Sequence, residues 1–400
     1  MYKKVQYGVL FILIAMLSAT SVVAQEEFID PPSRDLVNIP FEQLTGGIII
    51  LHAKFADFPD TLNFILDTGS SGISLDSTTI KYFGLVPTPS ERSIRGIAGI
   101  RKVSFLYNQS LHFKGLSVDS LNFHINDYSI LTAVYGEKID GIIGFAVLSR
   151  YIVKLDYDKM LVTFSTNGTI RYPRGGYLLR PSFNQLVTQP LRVKDNATIN
   201  SRFLFDLGAG LCMLFSKEFA EDSSLLHKKR KKWVKQGEGL GGKIDMELTV
   251  IKEVKVGPYK FRKVPVFVFD DEYNVTSYPY MGGLIGNDIM RRFNVIMNYQ
   301  KGDIYISPNR HFTESFDYSY SGVELYLIDG VIVAGDIEKG SPAEAAGLQE
   351  GDQVIGINKN FSLNLNQYKI ALQTPNEKVK VVFRRNGVIM EVDFKVLSII

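Results

Sequence analysis

The sequence has little cysteine and almost no net charge. Cys212 is the single cysteine among 400 residues, so no internal disulfide can form and the fold must rest on packing. It lies in an apolar run without a neighbouring histidine, which predicts a buried structural residue rather than a nucleophile. Lys and Arg number 45 against 42 Asp and Glu, a balance that gives no field for gathering a polyanion. Nucleic acid is therefore not an expected partner.

The first residues have the pattern of a secretory signal peptide. Lys3 and Lys4 precede an apolar run over residues 8–17, and small residues end it at 22–24. We expect cleavage of residues 1–24 and export, to the periplasm or as a secreted protein. The alternative is an uncleaved membrane anchor, but the apolar run is short for the roughly 20 residues that a spanning helix needs. No cysteine lies near its end, which excludes lipid attachment through cysteine there.

A duplicated unit occupies the first three quarters of the chain. An apolar stretch that ends in Asp, one further residue and Gly occurs at 64–70 and again at 203–209. A second motif, two apolar residues before Gly, follows each copy, at 142–144 and at 284–286. Motifs repeated in the same order indicate one unit copied within the chain. We expect the first copy over residues 36–175 and the second over 176–310.

Each copy has the composition of β-structure. Short β-rich runs alternate with Gly, Asn, Asp and Pro, as at 48–52, 161–165 and 264–269. Short helices are predicted after each Asp motif, with Asp76 capping residues 79–83 and Ser216 capping a helix from 219 into the basic stretch beyond. The sequence thus predicts two mainly β lobes with short helices on their outer faces.

Asp67 and Asp206 are the candidates for chemistry. Each follows an apolar strand and precedes a tight loop in which a glycine permits the turn. If the loops meet across a pseudo-twofold axis, two carboxyls that close cannot both ionise cheaply, so they share one proton. One oxygen then takes a proton from water while the other gives one to a carbonyl, which is the combination that peptide hydrolysis needs.

Two further pairs of segments fit this site. The apolar residues before Gly144 and Gly286 are expected to pack beneath the Asp loops, while the glycines let the backbones approach. Gly-punctuated segments between each Asp and its bracing strand are predicted hairpin tips, able to close over an extended substrate. Their candidate residues are Gly96, Ile97, Gly99, Gly239, Leu240 and Gly241.

In these motifs residues 40–310 resemble the aspartic peptidases of the retropepsin and pepsin superfamily, in a two-lobe, single-chain form. The run Asp67-Thr68-Gly69-Ser70 fits the family motif Asp-Thr/Ser-Gly-Ser/Ala in full. In the second copy, Leu207 stands where the family has Thr or Ser, before Gly208 and Ala209. The resemblance implies that Asp67 and Asp206 are catalytic, that the other residues of both motifs support the loops, and that no metal or organic cofactor is needed. It also implies that Thr68 bonds across to the other lobe.

The missing hydroxyl at Leu207 keeps more than one function open. Loss of one such hydrogen bond typically costs about 1 kcal/mol, which weakens positioning but spares the carboxylate. The favoured hypothesis is an endopeptidase that acts outside the cytoplasm on extended peptides or unfolded proteins. The alternatives are a catalytically weak or inactive protein that binds peptides in the cleft, and a scaffold whose C-terminal domain does the work.

A different unit follows the repeat, and we expect it over residues 319–398. Residues 340–348 and 351–358 resemble a PDZ domain of exported proteases, in which Ser341-Pro342 begins a short helix and Gly347 ends it. The resemblance implies a carboxylate-binding loop at Gly322, Val323, Glu324 and Leu325, strand addition of a peptide C-terminus beside 325–328, and a helix at 364–372 lining the groove. Because Glu324 replaces a small residue and repels a carboxylate, the alternative is a domain that docks on the lobes.

A basic cluster at residues 228–232, with Trp233 and Lys235 after it, has two interpretations. It is either a solvated helix face or a contact with an anionic membrane surface, where each basic residue gains about 1 kcal/mol. Taken together, these patterns predict a mainly β fold: two duplicated acid-protease-like β-barrel lobes followed by a PDZ-like α+β domain.

Overall fold

The structure is a computed structural model that describes residues 30–227, 229–316 and 319–399. Two compact units divide the chain, residues 1–33 with 168–170 and residues 34–167 with 171–400. In the described part of the first unit, Ser33 N donates to Thr169 O at 2.9 Å. The predicted signal peptide over residues 1–24 lies outside the described residues. Within those three ranges, no helix has both the length and the apolar character to cross a membrane.

The second unit begins with the first copy of the repeat, lobe 1. Its elements are β1 (Asp35–Pro40), β2 (Glu42–Gln43), a 3-10 helix (Thr45–Gly47), β3 (Ile49–Phe55), β4 (Leu62–Leu66), β5 (Ile73–Asp76), α1 (Ser77–Tyr82), β6 (Ser93–Gly96), β7 (Gly99–Lys102), β8 (Phe105–Phe113), β9 (Leu116–Asn126), α2 (Ser129–Tyr135), β10 (Gly141–Ile143), α3 (Phe145–Leu148), β11 (Ile152–Asp156) and β12 (Leu161–Ser165).

Lobe 2 repeats the barrel strands of lobe 1 but, among its described residues, has no counterpart of helix α2. It comprises β13 (Tyr177–Leu179), β14 (Ser182–Asn184), β15 (Leu186–Lys194), β16 (Thr198–Phe205), β17 (Met213–Ser216), α4 (Lys217–Asp222), β18 (Trp233–Gly239), β19 (Gly242–Val256), β20 (Tyr259–Phe269), β21 (Gly283–Ile285), α5 (Asn287–Met290), β22 (Phe293–Asn298) and β23 (Asp303–Pro308).

Each lobe closes into a barrel of six strands within the described residues. The order is β3-β4-β10-β5-β9-β8 in lobe 1, closed by β3 with β8, and β15-β16-β21-β17-β20-β19 in lobe 2, closed by β15 with β19. Strands alternate inward and outward residues, so that Val187, Leu191 and Val193 of β15 are buried. The identical strand order confirms the duplication predicted from the motifs.

A sheet shared by both lobes joins the two barrels. Its order is β1-β12-β11-β22-β23-β13, and β11 and β22 meet antiparallel at its centre, where Val153 lies opposite Met297. Tyr157 adds a buried bond between the lobes, since its hydroxyl donates to Asn287 Oδ1 at 2.8 Å. The shared sheet and this hydrogen bond therefore join the two equivalent lobes through non-covalent contacts in addition to the chain itself.

The predicted helix caps are present, but the second helix is shorter than expected. Asp76 accepts the amides of Thr78 and Thr79 at the start of α1, and Ser216 Oγ accepts the Phe219 amide at 3.2 Å. Helix α4 ends at Asp222, so it does not reach the basic cluster. Residues 229–232 are extended coil and Trp233 begins a strand, because this segment runs up to β18 of the lobe 2 barrel.

The interpretation of the basic cluster as a helix face is therefore wrong for the residues that the structure describes. Arg230, whose side chain is 11% exposed, is paired with Asp195 at 3.2 Å, and Lys232 is paired with Glu247 at 2.5 Å. Two of the cluster's cations are thus neutralised within lobe 2.

The C-terminal domain has its own core. Its elements are β24 (Ser319–Tyr320), β25 (Val323–Ile328), β26 (Val331–Ile337), α6 (Pro342–Ala345), β27 (Gln353–Ile357), α7 (Leu365–Ala371), β28 (Lys378–Arg385), β29 (Val388–Lys395) and β30 (Leu397–Ser398). Ser341 caps α6, Pro342 is its first residue and Gly347 follows with φ +96°, as predicted. In the sheet β25-β26-β27-β28-β29, β25 is an edge strand.

Candidate active site

The two candidate aspartates occupy equivalent positions in the two barrels. Asp67 directly follows β4 and Asp206 directly follows β16. The Asp67 amide donates to Ile143 O at 2.9 Å, and the Asp206 amide donates to Ile285 O at 3.0 Å. Since Ile143 and Ile285 end the short strands β10 and β21, each bracing strand fixes the backbone of one aspartate.

Asp67 and Asp206 face each other at hydrogen-bonding distance. The loop glycines make this approach possible. A Cβ added to Gly69 would lie 2.5 Å from Asp206 Oδ2, and one added to Gly208 would overlap the carboxyl of Asp67. Real side chains never come so close to a buried group, so the two glycines are required by the meeting of the loops.

Backbone amides surround both carboxyls. Gly69 N donates to Asp67 Oδ1 at 2.6 Å, and Gly208 N donates to Asp206 Oδ1 at 2.8 Å. A second set of loop amides contributes further bonds, from Ser70 to Asp67 and from Ala209 to Asp206. Four of the predicted loop-support residues, Gly69, Ser70, Gly208 and Ala209, therefore hold the carboxyls through their main chain.

One proton is best held between the two aspartates. Burial raises the pKa of Asp67, while a hydrogen bond from Asp206 works against that rise. Burial also raises the pKa of Asp206, and the neighbouring charge of Asp67 moves it well above its ordinary value. The two carboxyls therefore share one proton, which belongs to the pair rather than to either aspartate alone.

Thr68 forms hydrogen bonds to the other lobe, whereas Leu207 has no hydroxyl with which to form the equivalent bonds. Thr68 Oγ1 donates to Phe205 O at 2.6 Å and accepts the Leu207 amide at 3.0 Å. The side chain of Leu207 is fully buried in the main core. One half of the crossed hydroxyl arrangement is thus present, and an apolar contact replaces the other half.

The bracing glycines lie under the Asp loops. A Cβ on Gly144 would overlap Ser70 O, and a Cβ on Gly286 would overlap Leu211 O. Both oxygens belong to the loops that follow the aspartates, so the close approach predicted from the two apolar-Gly motifs is confirmed at both sites.

Two hairpins meet at their tips. The β6–β7 hairpin of lobe 1 is a separate two-stranded sheet, whereas the β18–β19 hairpin of lobe 2 extends from the barrel. Ala98 N donates to Leu240 O at 3.3 Å, and Arg101 donates to Gly241 O at 3.1 Å. All the candidate flap residues lie at these two tips, namely Gly96, Ile97, Gly99, Gly239, Leu240 and Gly241.

Two small apolar clusters, separate from the main core, lie beside the aspartates. In β4, Phe64 and Leu66 point into the main core while Ile65 joins one cluster, and in β16 Leu204 joins the other. This alternation places the clusters on the face of β4 and β16 that is turned away from the main core, next to the Asp67–Asp206 pair (the dyad) that follows these strands. The first cluster includes Tyr128, Leu131 and Tyr135 of the α2 region, and the second includes Ile97, Met246 and Met281.

Sequence reasoning missed helix α2. Tyr128, just before it, is bonded to Ser74 Oγ at 2.7 Å, and burial raises the pKa of Tyr128 to about 12. Burial also raises the pKa of Tyr135, and the charges of Glu238, Asp206 and Asp67 raise it further, so this ring lies close to the dyad. The residue at the N-cap position of α2 is Tyr128, which makes no side-chain capping bond, so the pattern lacks the usual cap residue at that position.

The predicted carboxylate-binding loop of the C-terminal domain is joined to lobe 2 by an ion pair. Gly322 has φ +76°, as a tight loop requires, and Val323 and Leu325 point into the domain core. Glu324 lies 2.7 Å from Lys235 of β18. Burial alone would raise the pKa of Glu324, but the charges of Lys235 and Lys369 outweigh it and lower this pKa. The repulsion expected from Glu324 is therefore neutralised.

The fold and the site agree with the sequence families that the chain matches. Residues 52–147 and 190–289 both match the aspartyl protease family, one segment in each lobe, and residues 333–385 match the PDZ domain family. The chain is a two-lobed protein of the aspartyl protease type with a PDZ domain at its C-terminus. No curated protein sequence matches it significantly.

Proposed function

We propose that the protein is an aspartic endopeptidase in which Asp67 and Asp206 activate water against a peptide bond. The observation that carries the proposal is the pair of facing, hydrogen-bonded carboxyls from equivalent loops, one of them with a pKa well above its ordinary value. Two acidic side chains rarely lie this close together for structural reasons alone, because two carboxylates repel each other unless a proton lies between them.

The mechanism follows from the protonation of the pair. Asp67, in its ionised form, takes a proton from a water molecule while the oxygen of that water attacks the peptide carbonyl carbon. The protonated Asp206 gives its proton to the carbonyl oxygen, which yields a tetrahedral diol without a covalent bond to the enzyme. Collapse of the diol breaks the C–N bond while Asp67 passes its proton to the leaving nitrogen, and Asp206 regains a proton from a diol hydroxyl. The pair is then ready for another cycle.

The surroundings favour an extended, partly apolar substrate. The hairpin tips touch each other, and Ile97 of one tip packs against the same apolar cluster as Ala209 of the Asp206 loop. Hairpins that close over the aspartates in this way favour an extended chain over a folded protein. The apolar clusters of α2 and of Ile97 and Met246 flank the aspartates and offer contacts to apolar side chains on both sides of the scissile bond. Unfolded or exported polypeptides are the substrates that fit, and export itself rests on the predicted signal peptide.

The test compares wild type with Asp67→Asn on an unfolded protein and a quenched fluorescent peptide. Asn keeps the shape of the side chain but removes its basicity, so we expect turnover to fall by at least about a thousandfold. Asp57→Asn, at an exposed turn of lobe 1, is the matched control and should retain full activity. A statine-type inhibitor should block the wild type. Cleavage that persists in Asp67→Asn would refute the mechanism.

The second candidate is a peptide-binding protein with little catalysis. Leu207 favours it, because the loop of Asp206 lacks the reciprocal hydroxyl. If this candidate is correct, the wild type should bind the statine-type inhibitor or an unfolded peptide tightly but should cleave neither peptide nor protein at any pH from about 3 to about 8. Measured turnover would exclude it.

A further inference from the structure

Helix α2 of lobe 1 contacts both walls of the PDZ groove. These walls are the edge strand β25 and helix α7, and α2 packs closely along β25. Lys369 of α7 donates to Val134 O, in α2, at 2.6 Å. Gly136, which ends α2 with φ +72°, packs so closely on Leu365 that a Cβ there would lie 2.9 Å from the Leu365 Cβ. The position where a peptide would bind is therefore taken by a segment of the same chain.

The PDZ domain also holds the lobe 2 hairpin β18–β19. Lys235 of β18 pairs with Glu324 at 2.7 Å, and Lys243 of β19 pairs with Asp336 at 2.8 Å. Tyr326 of β25 donates its hydroxyl toward Glu238. Both strands of this hairpin are thus tied to the PDZ domain just before the tip that contacts the lobe 1 hairpin.

An apolar cluster closes the base of the same interface. Trp233, the first residue of β18, is 8% exposed and shares a cluster with Tyr320 and Ile399 from the two ends of the C-terminal domain. Trp233 is the single tryptophan of the chain. Its emission therefore reports on whether the PDZ domain is docked on the hairpin.

The segment that fills the groove is itself linked to the catalytic loop of lobe 1. Asp76, at the end of β5, accepts the Tyr128 amide before α2 and the Lys138 ammonium after it, both at 2.9 Å. Tyr128 also bonds Ser74 of the same strand. Helix α2 is thus clamped at both ends to β5, which pairs with the bracing strand β10.

From these contacts we propose that the PDZ domain gates the cleft: its groove binds α2 of the same chain, and a peptide C-terminus that displaces α2 undocks the domain and frees the β18–β19 hairpin to open. The inference rests on the proposed function for its effect on hydrolysis, but the docking and the opening are independent of it. In the docked form the hairpin tips are in contact and the cleft is closed to long substrates. Binding at the groove and entry to the cleft are then coupled through one two-state contact.

A charge-reversal cycle tests the gate. Lys235→Glu and Glu324→Lys each place like charges at 2.7 Å in the present pair, whereas the double variant restores an attractive pair. All three are made in Asp67→Asn protein, so that no self-cleavage interferes. Each single variant should shift Trp233 emission to longer wavelength and speed amide exchange at residues 239–242 by about tenfold, and the double variant should return both toward wild type.

Controls separate undocking from misfolding and from loss of the catalytic function. Lys378→Glu breaks an exposed pair with Asp393 on the far strands of the PDZ sheet and should leave Trp233 emission and hairpin exchange unchanged. In the active background, each single reversal should raise kcat/KM for an unfolded substrate by about tenfold. If wild type shows no hydrolysis, the proposed function fails while the exchange measurement still decides the gate.

The occupant of the groove is tested with a synthetic peptide of residues 129–136 carrying a free C-terminal carboxylate. Added to Asp67→Asn protein, it should shift Trp233 emission and speed exchange at 239–242 as the single reversals do. If Lys235→Glu and Glu324→Lys each leave amide exchange at residues 239–242 unchanged, the proposed gate is wrong. A peptide that leaves the emission and the exchange unchanged at saturation would overturn α2 as the displaced occupant.

Discussion

Replacing Thr68 with valine removes the hydroxyl that ties the two aspartate loops together, while the shape of the side chain is kept. Thr68 Oγ1 donates to Phe205 O and accepts the Leu207 amide, and these groups are buried. Two buried hydrogen bonds are lost, and the Leu207 amide is left without an acceptor in the closed interior. At about 1 kcal/mol for each bond and about 1–3 kcal/mol for the stranded amide, we expect the free energy of unfolding to fall by about 3–5 kcal/mol.

The control is Thr68→Ser, which keeps the hydroxyl and loses one buried methyl group, at a cost of about 1 kcal/mol. Urea-induced unfolding followed by circular dichroism measures both variants, and kcat measures the effect on the dyad. Because the tie positions Asp206, kcat should fall by about tenfold to a hundredfold in Thr68→Val but little in Thr68→Ser. Equal stability of the two variants, within about 0.5 kcal/mol, would show that the hydroxyl does not hold the loops.

Three further changes have defined outcomes. Leu207→Thr puts a hydroxyl at the position equivalent to Thr68; kcat should rise while the melting temperature falls, since buried methylenes are removed from the core, and an unchanged kcat would show that positioning is not limiting. The pKa of Asp206 is higher in the folded than in the unfolded protein, so the contribution of this group to stability is lost as pH rises through the folded pKa. The melting temperature of Asp206→Asn should therefore exceed that of wild type at pH 8, and the difference should narrow toward an acidic pH of about 4. A difference in melting temperature that does not change with pH would contradict the raised pKa. Gly286→Ala should destabilise by more than about 3 kcal/mol because the added Cβ overlaps Leu211 O, and an unchanged melting temperature would place the loop elsewhere.

The duplicated motifs were sufficient to predict the barrels and the dyad. A strand that ends in Asp and a glycine turn carries its geometry locally, and its repetition after the bracing motif left little freedom in how Asp67 and Asp206 could meet. The PDZ helix α6 was equally local, since Ser341, Pro342 and Gly347 each mark one of its ends. Such features depend on residues close together in the chain, which is what a sequence pattern records.

The parts that sequence reasoning missed depend on tertiary contacts. The N-cap residue of helix α2 makes no side-chain capping bond, and the helix is held by Asp76 and Lys138, which only the folded chain brings together. The spacing of charges along the basic cluster is typical of a helix face, yet Arg230 pairs with Asp195 in the turn between β15 and β16, and Lys232 pairs with Glu247 on β19. The pairing of Glu324 with Lys235 likewise had no local signal.

The two halves that meet in the shared sheet, at β11 and β22, belong to a single polypeptide, so each half can differ from the other. In a symmetric homodimer any substitution appears twice, so neither aspartate loop can change alone. Here lobe 1 has the hydroxyl of Thr68 where lobe 2 has Leu207. The β6–β7 hairpin of lobe 1 is a separate sheet, whereas the β18–β19 hairpin of lobe 2 contacts the PDZ domain. Two unequal halves fit the proposed peptide substrate, which is itself directional, with an amino end and a carboxyl end.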